Sequence, residues 1–230
     1  MTLGKIFYIL GKSASGKDSL YQALRADRTL GLKGVTMYTT RPRRVGEEEG
    51  REYFFTDESG IARAREQKKL IEIRTYQTVH GPWSYFTQDD GQIDLTKDSY
   101  LMVGVLESYR SMRVYYGAEH VIPLYIEVED GERLMRAITR ERQQKNPRYA
   151  ELCRRFLADA ADFSEDRLAE AGIRRRFQNV NLEECREELV AAIRKEMSAG
   201  IRSEADAVIR KDAAAVIQTE SSTVSGEDKS

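Results

Sequence analysis

The chain has 230 residues, of which 40% are hydrophobic and 33% charged, a composition typical of a globular protein that buries one core. Its formal net charge of −1 provides no general field for nucleic acid or an anionic membrane, so we expect neither as a partner. The two cysteines and two histidines show no zinc-binding spacing, and the apolar run at 6–10 is too short for a signal peptide or a membrane span. We therefore expect a cytoplasmic protein, and the composition leaves its oligomeric state open.

Apolar strands alternate with amphipathic helices over the first 198 residues. In the first half of the chain, the predicted elements are a strand in KIFYIL, a helix in SLYQALRAD, short strands in VTMYTT and REYFF, a helix in ARAREQKK, and strands in KLIEIRTY and WSYFT. In the second half, they are strands in SYLMVGVL and VIPLYIEV, helices in DGERLMRAITRERQQ and AELCRRFLADAADF, a strand in RRFQNV and a helix in LEECREELVAAIRKEM. Asp130 is the predicted N-cap of the first of these helices, and Leu182, Cys185, Leu189 and Ile193 lie on one face of the last. This alternation predicts an α/β fold with a parallel sheet. Residues 199–230 are Ala-rich and then polar, which predicts a partly helical to disordered tail.

A glycine loop between the first predicted strand and helix carries the clearest nucleotide-binding signal. It follows the pattern G-x-x-x-x-G-K, with Gly11, Gly16 and Lys17. Backbone N–H groups of such a loop surround phosphate, the helix N-terminus adds a positive dipole end, and the lysine reaches the outer phosphates. The alternative is a tight glycine turn with an exposed lysine. The candidate phosphate-binding residues are Gly11, Ser13, Ser15, Gly16, Lys17, Asp18 and Ser19.

The residue after the lysine departs from the pattern, because Asp18 stands where Ser or Thr would hold magnesium. A carboxylate is itself a good Mg²⁺ ligand, but without the metal it would repel the phosphates. Asp18 could instead cap the helix that begins here, a role that short acids often fill. The sequence leaves both interpretations open.

Residues 39–55 form an arginine-rich stretch, TTRPRRVGEEEGREYFF. Arg41 and Arg44 can make forked hydrogen bonds to phosphate oxygens, and the phenol of Tyr53 adds another donor. A solvated charged hairpin is the alternative. The stretch resembles the monophosphate-binding segment of guanylate kinases, T-T-R-x-x-R-x-G-E-x-x-G-x-x-Y-x-F. The matching residues are Thr39, Thr40, Arg41, Arg44, Gly46, Glu47, Gly50, Tyr53 and Phe55.

The resemblance extends over about residues 4 to 197. It implies a guanylate kinase-like domain at 1–198, with a P-loop NTPase-type parallel sheet flanked by helices as its core at 1–33 and 94–198. It also implies a small mixed, β-rich monophosphate-binding subdomain at 34–93 and a helical lid at about 136–155.

The resemblance also assigns roles to single residues. Glu72 in LIEI corresponds to the glutamate that accepts hydrogen bonds from guanine, a base whose adjacent N–H donors suit a carboxylate. HGPWSYFT, one residue longer than the family segment, places Tyr85 on the monophosphate and Thr87 near the base. The implied monophosphate-side residues are Arg41, Arg44, Glu47, Tyr53, Glu72, Tyr85 and Thr87. The implied catalytic residues are Lys17, Arg41 and the lid arginines Arg136, Arg140 and Arg155, with Asn179 near the adenine.

Three positions depart from the family. Val103 and Val105 replace two acids after the second core strand, one of which is expected to help hold magnesium, and Met37 replaces a serine that helps to read guanine. On this interpretation Asp18, together with Glu107, takes over the metal role.

The expected function is therefore ATP- and Mg²⁺-dependent phosphorylation of a nucleoside monophosphate, with GMP as the leading acceptor. Two alternatives remain. One is a non-catalytic guanylate-kinase-like binding module, which would tend to lose the lysine and the lid arginines that are present here. The other is a kinase of a related acceptor, because ribose bisphosphate kinases also carry GKDS after the glycine loop but lack the long TTR…Y segment.

Overall fold

The computed structural model describes residues 3–78 and 81–199 and contains two sheets. The larger has five parallel strands in the order β2-β7-β1-β8-β9. Its strands are β1 (Ile6–Leu10), β2 (Lys33–Gly34), β7 (Tyr100–Gly104), β8 (Val121–Glu127) and β9 (Arg176–Gln178). Because helices follow these strands, the predicted α/β class with a parallel sheet is confirmed.

The smaller sheet has four strands in the order β4-β3-β6-β5 and is mixed. Its strands are β3 (Tyr38–Thr39), β4 (Phe54–Phe55), β5 (Leu70–Thr78) and β6 (Gly81–Gln88). The β3–β4 pair is parallel, whereas β6 is antiparallel to both β3 and β5. The β5–β6 hairpin is longer than the two short strands predicted there, and β3 and β4 are only two residues each.

Alternation along β1 divides the core into two clusters. Ile6, Tyr8 and Leu10 pack on one face of the main sheet, and Phe7 and Ile9 pack on the other. All five are fully buried, as expected of a central parallel strand with helices on both faces. The strand therefore ends in a fixed position, and the glycine loop begins at that end.

The helices are α1 (Lys17–Ala26), α2 (Glu58–Glu66), α3 (Leu106–Tyr116), α4 (Asp130–Arg142), α5 (Tyr149–Asp162), α6 (Glu165–Glu170) and α7 over residues 182–199. Two of these helices were not predicted from the sequence: α3, which has eleven residues, and α6, which has six. The predicted N-cap of α4 is wrong: Glu129 is the cap, and its side chain accepts from the N–H of Glu132. Asp130 pairs with Arg133 instead.

The apolar face predicted for α7 is buried except at its start. Cys185, Leu189 and Ile193 are fully buried, whereas Leu182 is 46% exposed. Leu182 therefore does not belong to the buried face. Nearly all of the predicted tail at 199–230 lies outside the described residues.

No helix within residues 3–78 and 81–199 is both long and apolar enough to cross a membrane.

Candidate active site

The glycine loop turns directly from the end of β1 into α1. Gly16 is the N-cap of α1 and has a φ of 83°, a left-handed conformation that glycine adopts without strain. A Cβ at Gly16 would lie 2.3 Å from Nδ2 of Asn179, which donates to the carbonyl of Ser15 at 2.7 Å. Asn179 thus packs against the loop, and the tight approach requires glycine at position 16.

The interior of the loop presents polar groups that the protein itself leaves unused. The hydroxyl oxygen of Ser15 is buried and has no hydrogen-bond partner in the described part of the chain. A buried hydroxyl of this kind calls for a missing ligand. The ammonium group of Lys17 lies at the start of α1, where its nearest charged neighbour is Asp18, 3.7 Å away. Phosphate oxygens would satisfy both groups, so the loop fits a nucleotide phosphate chain.

Asp18 does not cap α1, because the N-cap is Gly16 and no side chain caps that end. Its side chain is 77% exposed in the first turn of the helix. Glu107, the second predicted metal ligand, is exposed in the first turn of α3. Within residues 3–78 and 81–199, no cluster of three or more His, Cys, Asp or Glu side chains could hold a metal ion by itself. Mg²⁺ in phosphotransfer sites takes one or two carboxylates plus phosphate oxygens, and each of these exposed acids offers oxygen ligands of that kind.

The predicted lid arginines divide between two positions. Arg136 donates from Nη2 to the carbonyl of Asn179 at 3.0 Å and from Nε to Glu132 at 2.8 Å. Arg140 and Arg155 instead line a narrow cleft together with Ser13 of the glycine loop. Nε of Arg155 is buried without a hydrogen bond inside the described ranges, and Glu151 lies 3.7 Å from it. Two lid arginines therefore already adjoin the loop.

A buried arginine and an acid that the sequence analysis missed connect the lid to the loop. Arg133 is only 1% exposed, and its guanidinium lies over the ring of Phe156 at 4.3 Å. It donates to the carbonyl of Ser13 at 3.1 Å, to Asp130 at 2.9 Å and to Asp159 at 3.2 Å. Asp159 also accepts from the N–H of Ser13 at 2.7 Å. A carboxylate of α5 thus occupies a backbone donor of the glycine loop.

The arginine-rich segment folds around the buried guanidinium group of Arg41. Arg41 makes a two-pronged ion pair with Glu47, at 2.7 and 2.6 Å, and lies over the ring of Tyr53 at 5.1 Å. The rings of Tyr53 and Tyr85 are 5.6 Å apart, edge to face. The bond from Arg41 and the N–H of Arg44 lower the pKa of Glu47 to about 2. Arg41, Tyr53 and Tyr85 therefore converge, while Arg44 contributes its backbone and leaves its side chain exposed.

Glu72 and Thr87 meet in the small sheet as the resemblance implies. They are cross-strand partners in the β5–β6 hairpin, and the Thr87 hydroxyl donates to Oε1 of Glu72 at 2.9 Å. Burial raises the pKa of Glu72, and the neighbouring Arg74 opposes that rise. Arg74 was not identified from the sequence. The strand period could have identified it, because a residue two positions after Glu72 on a strand lies on the same face.

The strand end that lacks the two acids is closed by a tyrosine. Val103 and Val105 flank Gly104, and a Cβ at Gly104 would lie 2.2 Å from the hydroxyl of Tyr8. Tyr8 shares a 2.7 Å hydrogen bond with Ser108, and its burial raises its pKa to about 12. A neutral phenol from the middle of β1 thus reaches the end of β7.

Comparison with known proteins identifies one family. Residues 4–147 match the guanylate kinase family. Among curated proteins, the guanylate kinase of Bordetella pertussis is 41% identical over 78 residues, 34% of this chain and 34% of that protein. The guanylate kinase of Mycoplasma mobile is 42% identical over 69 residues, 30% of this chain and 34% of that protein. The chloroplastic/mitochondrial guanylate kinase 2 of Oryza sativa subsp. japonica is 27% identical over 134 residues, 58% of this chain and 45% of that protein.

These alignments are partial: the chain spans about a third of the length of the bacterial relatives that it matches. Among solved structures, guanylate kinase from Anaplasma phagocytophilum superposes with a TM-score of 0.58 at 20% identity, over 85% of this chain and 87% of that chain. This similarity confirms the fold.

Proposed function

Because the chain belongs to the guanylate kinase family, we propose that it transfers the γ-phosphoryl group of ATP to a nucleoside monophosphate, with GMP as the acceptor. The observation that carries the proposal is the composition of the small sheet and its adjoining loop. They combine a phosphate-side group, formed by Arg41, Tyr53 and Tyr85, with a base-side pair, formed by Glu72 and Thr87. A nucleoside monophosphate has two ends that match these groups: a phosphate for the first and the edge of a base for the second.

Phosphoryl transfer requires positioning and neutralisation of charge rather than covalent chemistry. The donor end is supported by the glycine loop with Lys17 and the unused hydroxyl of Ser15. The charge that develops on the transferred group is balanced by lid arginines, of which Arg140 and Arg155 already adjoin the loop. Asn179 packs against the loop and is the residue proposed to lie near the adenine of the donor, and Arg136, the third lid arginine, donates to its carbonyl. No general base is required, because the acceptor phosphate is already ionised.

Magnesium is the expected cofactor, with Asp18 and Glu107 as its protein ligands. A bound Mg²⁺ ion would be held by these carboxylates and would neutralise charge on the phosphates of ATP. The residues of this chain hold the phosphates and orient the acceptor.

The proposal carries the domain division of the sequence analysis with it: a nucleotide-binding core at 1–33 and 94–198, an acceptor subdomain at 34–93 and a lid at about 136–155. We also propose a cytoplasmic location, where ATP and nucleoside monophosphates are available.

A coupled assay of ADP formation tests the proposal. Purified protein is given ATP and Mg²⁺ with GMP, AMP, CMP, UMP or ribose 1,5-bisphosphate in turn. Turnover with GMP well above the other acceptors is expected. If only ribose 1,5-bisphosphate is turned over, it is the acceptor in place of GMP. If GMP binds but is not turned over, the protein is a binding module.

A further inference from the structure

The acceptor side of the small sheet holds a buried ion pair between Glu72 and Arg74. Nε of Arg74 donates to Oε2 of Glu72 at 3.0 Å, and Nη2 lies 3.4 Å from Oε1. The side chain of Arg74 is 10% exposed and that of Glu72 is 3% exposed. Nη2 also contacts the sulfur of Met37 at 3.8 Å. The guanidinium therefore lies between the predicted base-reading carboxylate and the position where the resemblance implies a base-reading serine.

The pair leaves hydrogen-bonding capacity unused on both partners. A guanidinium carries five N–H donors, and the contacts of Arg74 involve Nε and Nη2, the latter partly through a weak thioether acceptor. Within the described ranges, Nη1 has no hydrogen bond. Glu72 accepts from Thr87 and Arg74, and a carboxylate has about four acceptor positions, so Oε2 retains capacity. A buried ion pair contributes little net stability by itself, and the donor and acceptor positions that remain free are ones that a ligand could use.

Guanine has an edge that matches these two groups in order. It presents the acceptor O6 beside the donors N1–H and N2–H₂, and arginine is the side chain that most commonly recognises guanine O6. Adenine presents a donor amino group at the same position and an unprotonated N1 beside it. Those groups would face the N–H donors of Arg74 and the carboxylate of Glu72, which is unfavourable at both contacts.

We propose that Arg74 is a specificity-determining residue that donates a hydrogen bond to guanine O6 and so replaces the hydroxyl missing at Met37. The inference rests on the proposed function and assigns its base selectivity to a residue outside the implied site. Glu72 reads the N–H donors of guanine, and Arg74 reads its carbonyl. The opposing possibility is that Arg74 neutralises Glu72 and blocks guanine.

Equilibrium binding of nucleotides separates these possibilities without depending on turnover. The probes are GMP and 6-thio-GMP, which keeps N1–H and N2–H₂ but replaces O6 with sulfur, a weaker acceptor. The unmodified protein should bind GMP roughly 10-fold more tightly than 6-thio-GMP, and in Arg74→Ala this ratio should fall to near 1. GMP affinity itself should fall by roughly 10- to 100-fold, and the double variant Arg74→Ala/Met37→Ser should recover part of the loss.

Two further variants complete the experiment. Arg63→Ala removes an arginine from α2 in the same subdomain, where its side chain bonds to Ser59, and should leave the ratio unchanged. Arg74→Gln keeps one amide donor and fills the same space, and its ratio should lie between those of the unmodified protein and Arg74→Ala. If Arg74→Ala does not fold, this variant decides the question.

A GMP to 6-thio-GMP ratio that stays unchanged in the variants would overturn the assignment while leaving the kinase proposal intact. Tighter GMP binding by Arg74→Ala would also overturn it and would establish the blocking role. If the unmodified protein fails to bind GMP at all, the proposed function fails first, and the assignment falls with it.

Discussion

Lys17 is the cation that the glycine loop directs toward the donor nucleotide. The nearest charged group to it is Asp18, and its side chain is half-buried beside the loop, outside the hydrophobic core clusters. Replacing it with alanine should therefore leave the fold intact and remove one preorganised charge from the site. Losses of this kind cost about 3 kcal/mol or more of transition-state stabilisation, so we expect Lys17→Ala to lower kcat by roughly 100-fold or more.

The measurement is the initial rate of ADP formation at saturating ATP and GMP, with thermal unfolding as the check on folding. Lys33→Ala is the matched control, because Lys33 pairs with Asp98 on the surface of β2. Full turnover in Lys17→Ala would show that the loop is only a tight glycine turn and that its lysine does not act on phosphate.

Asp18 is expected to act through magnesium. Since Gly16 is the N-cap of α1, the capping role that the sequence left open for Asp18 is not used in the structure. We expect Asp18→Ala to raise the magnesium concentration that gives half-maximal activity, and Asp18→Ser to restore part of the affinity through a hydroxyl ligand. A magnesium titration of activity measures both. Identical titration curves for the three proteins would exclude Asp18 as a ligand, and Glu107→Gln tests the second acid in the same way.

At the scale of elements, α5 is held against the glycine loop by Asp159. Its carboxylate accepts a hydrogen bond from the N–H of Ser13 in the glycine loop, and Arg133 also donates to it. ATP must displace this carboxylate to use that donor. Asp159→Asn removes the charge while keeping the shape, so we expect it to lower the Kd for ATP several-fold. It should also destabilise the fold, because a buried arginine loses a charged partner.

Calorimetric titration with ATP and denaturant unfolding measure these two effects. Asp162→Asn is the control, because Asp162 also lies on α5 but pairs with Arg167 at the surface. An ATP affinity that is unchanged or weaker in Asp159→Asn would show that Asp159 does not compete with phosphate.

The elements themselves were largely predictable where hydrophobic pattern dominates. β1, β7 and β8 are apolar strands whose residues are buried on both faces of the sheet, and such strands are read directly from the sequence. Two-residue strands such as Tyr38–Thr39 have no periodicity of their own, since they exist only through pairing with β4 and β6. The cap of α4 moved to Glu129 because Asp130 is engaged by Arg133.

The motif residues come together in the structure, whereas their roles in binding and catalysis stay predictions. Glu72 and Thr87 meet as the resemblance implies, and Arg41, Tyr53 and Tyr85 converge. The contacts that no motif encodes join distant parts of the chain. Examples are Arg74 with Met37, which lie 37 residues apart, and Asp159 with Ser13, which lie 146 apart. A sequence pattern cannot specify such pairs, because they depend on how the whole chain packs.

At the scale of the whole molecule, stability at high pH should depend on the buried tyrosines of the central sheet. Tyr8 on β1 and Tyr125 on β8 both lie in the core, and burial raises the pKa of each to about 12. An unfolded chain releases these phenolic protons near pH 10. Between pH 10 and 12 the folded state therefore binds more protons than the unfolded state, so stability is complete below pH 10 and falls as the pH rises through this window.

Tyr8→Phe tests this expectation in full. The variant should lose about 1 kcal/mol near neutral pH, because the hydrogen bond to Ser108 is removed. Above pH 10 its stability should fall less steeply than that of the unmodified protein, by up to about 1.4 kcal/mol per pH unit for one proton. Urea unfolding near neutral pH and at several higher pH values through the window around the tyrosine pKa measures both quantities, with Tyr149→Phe as a control at an exposed position of α5. Parallel stability curves for Tyr8→Phe and the unmodified protein above pH 10 would mean that the hydroxyl of Tyr8 does not remain protonated in the folded core.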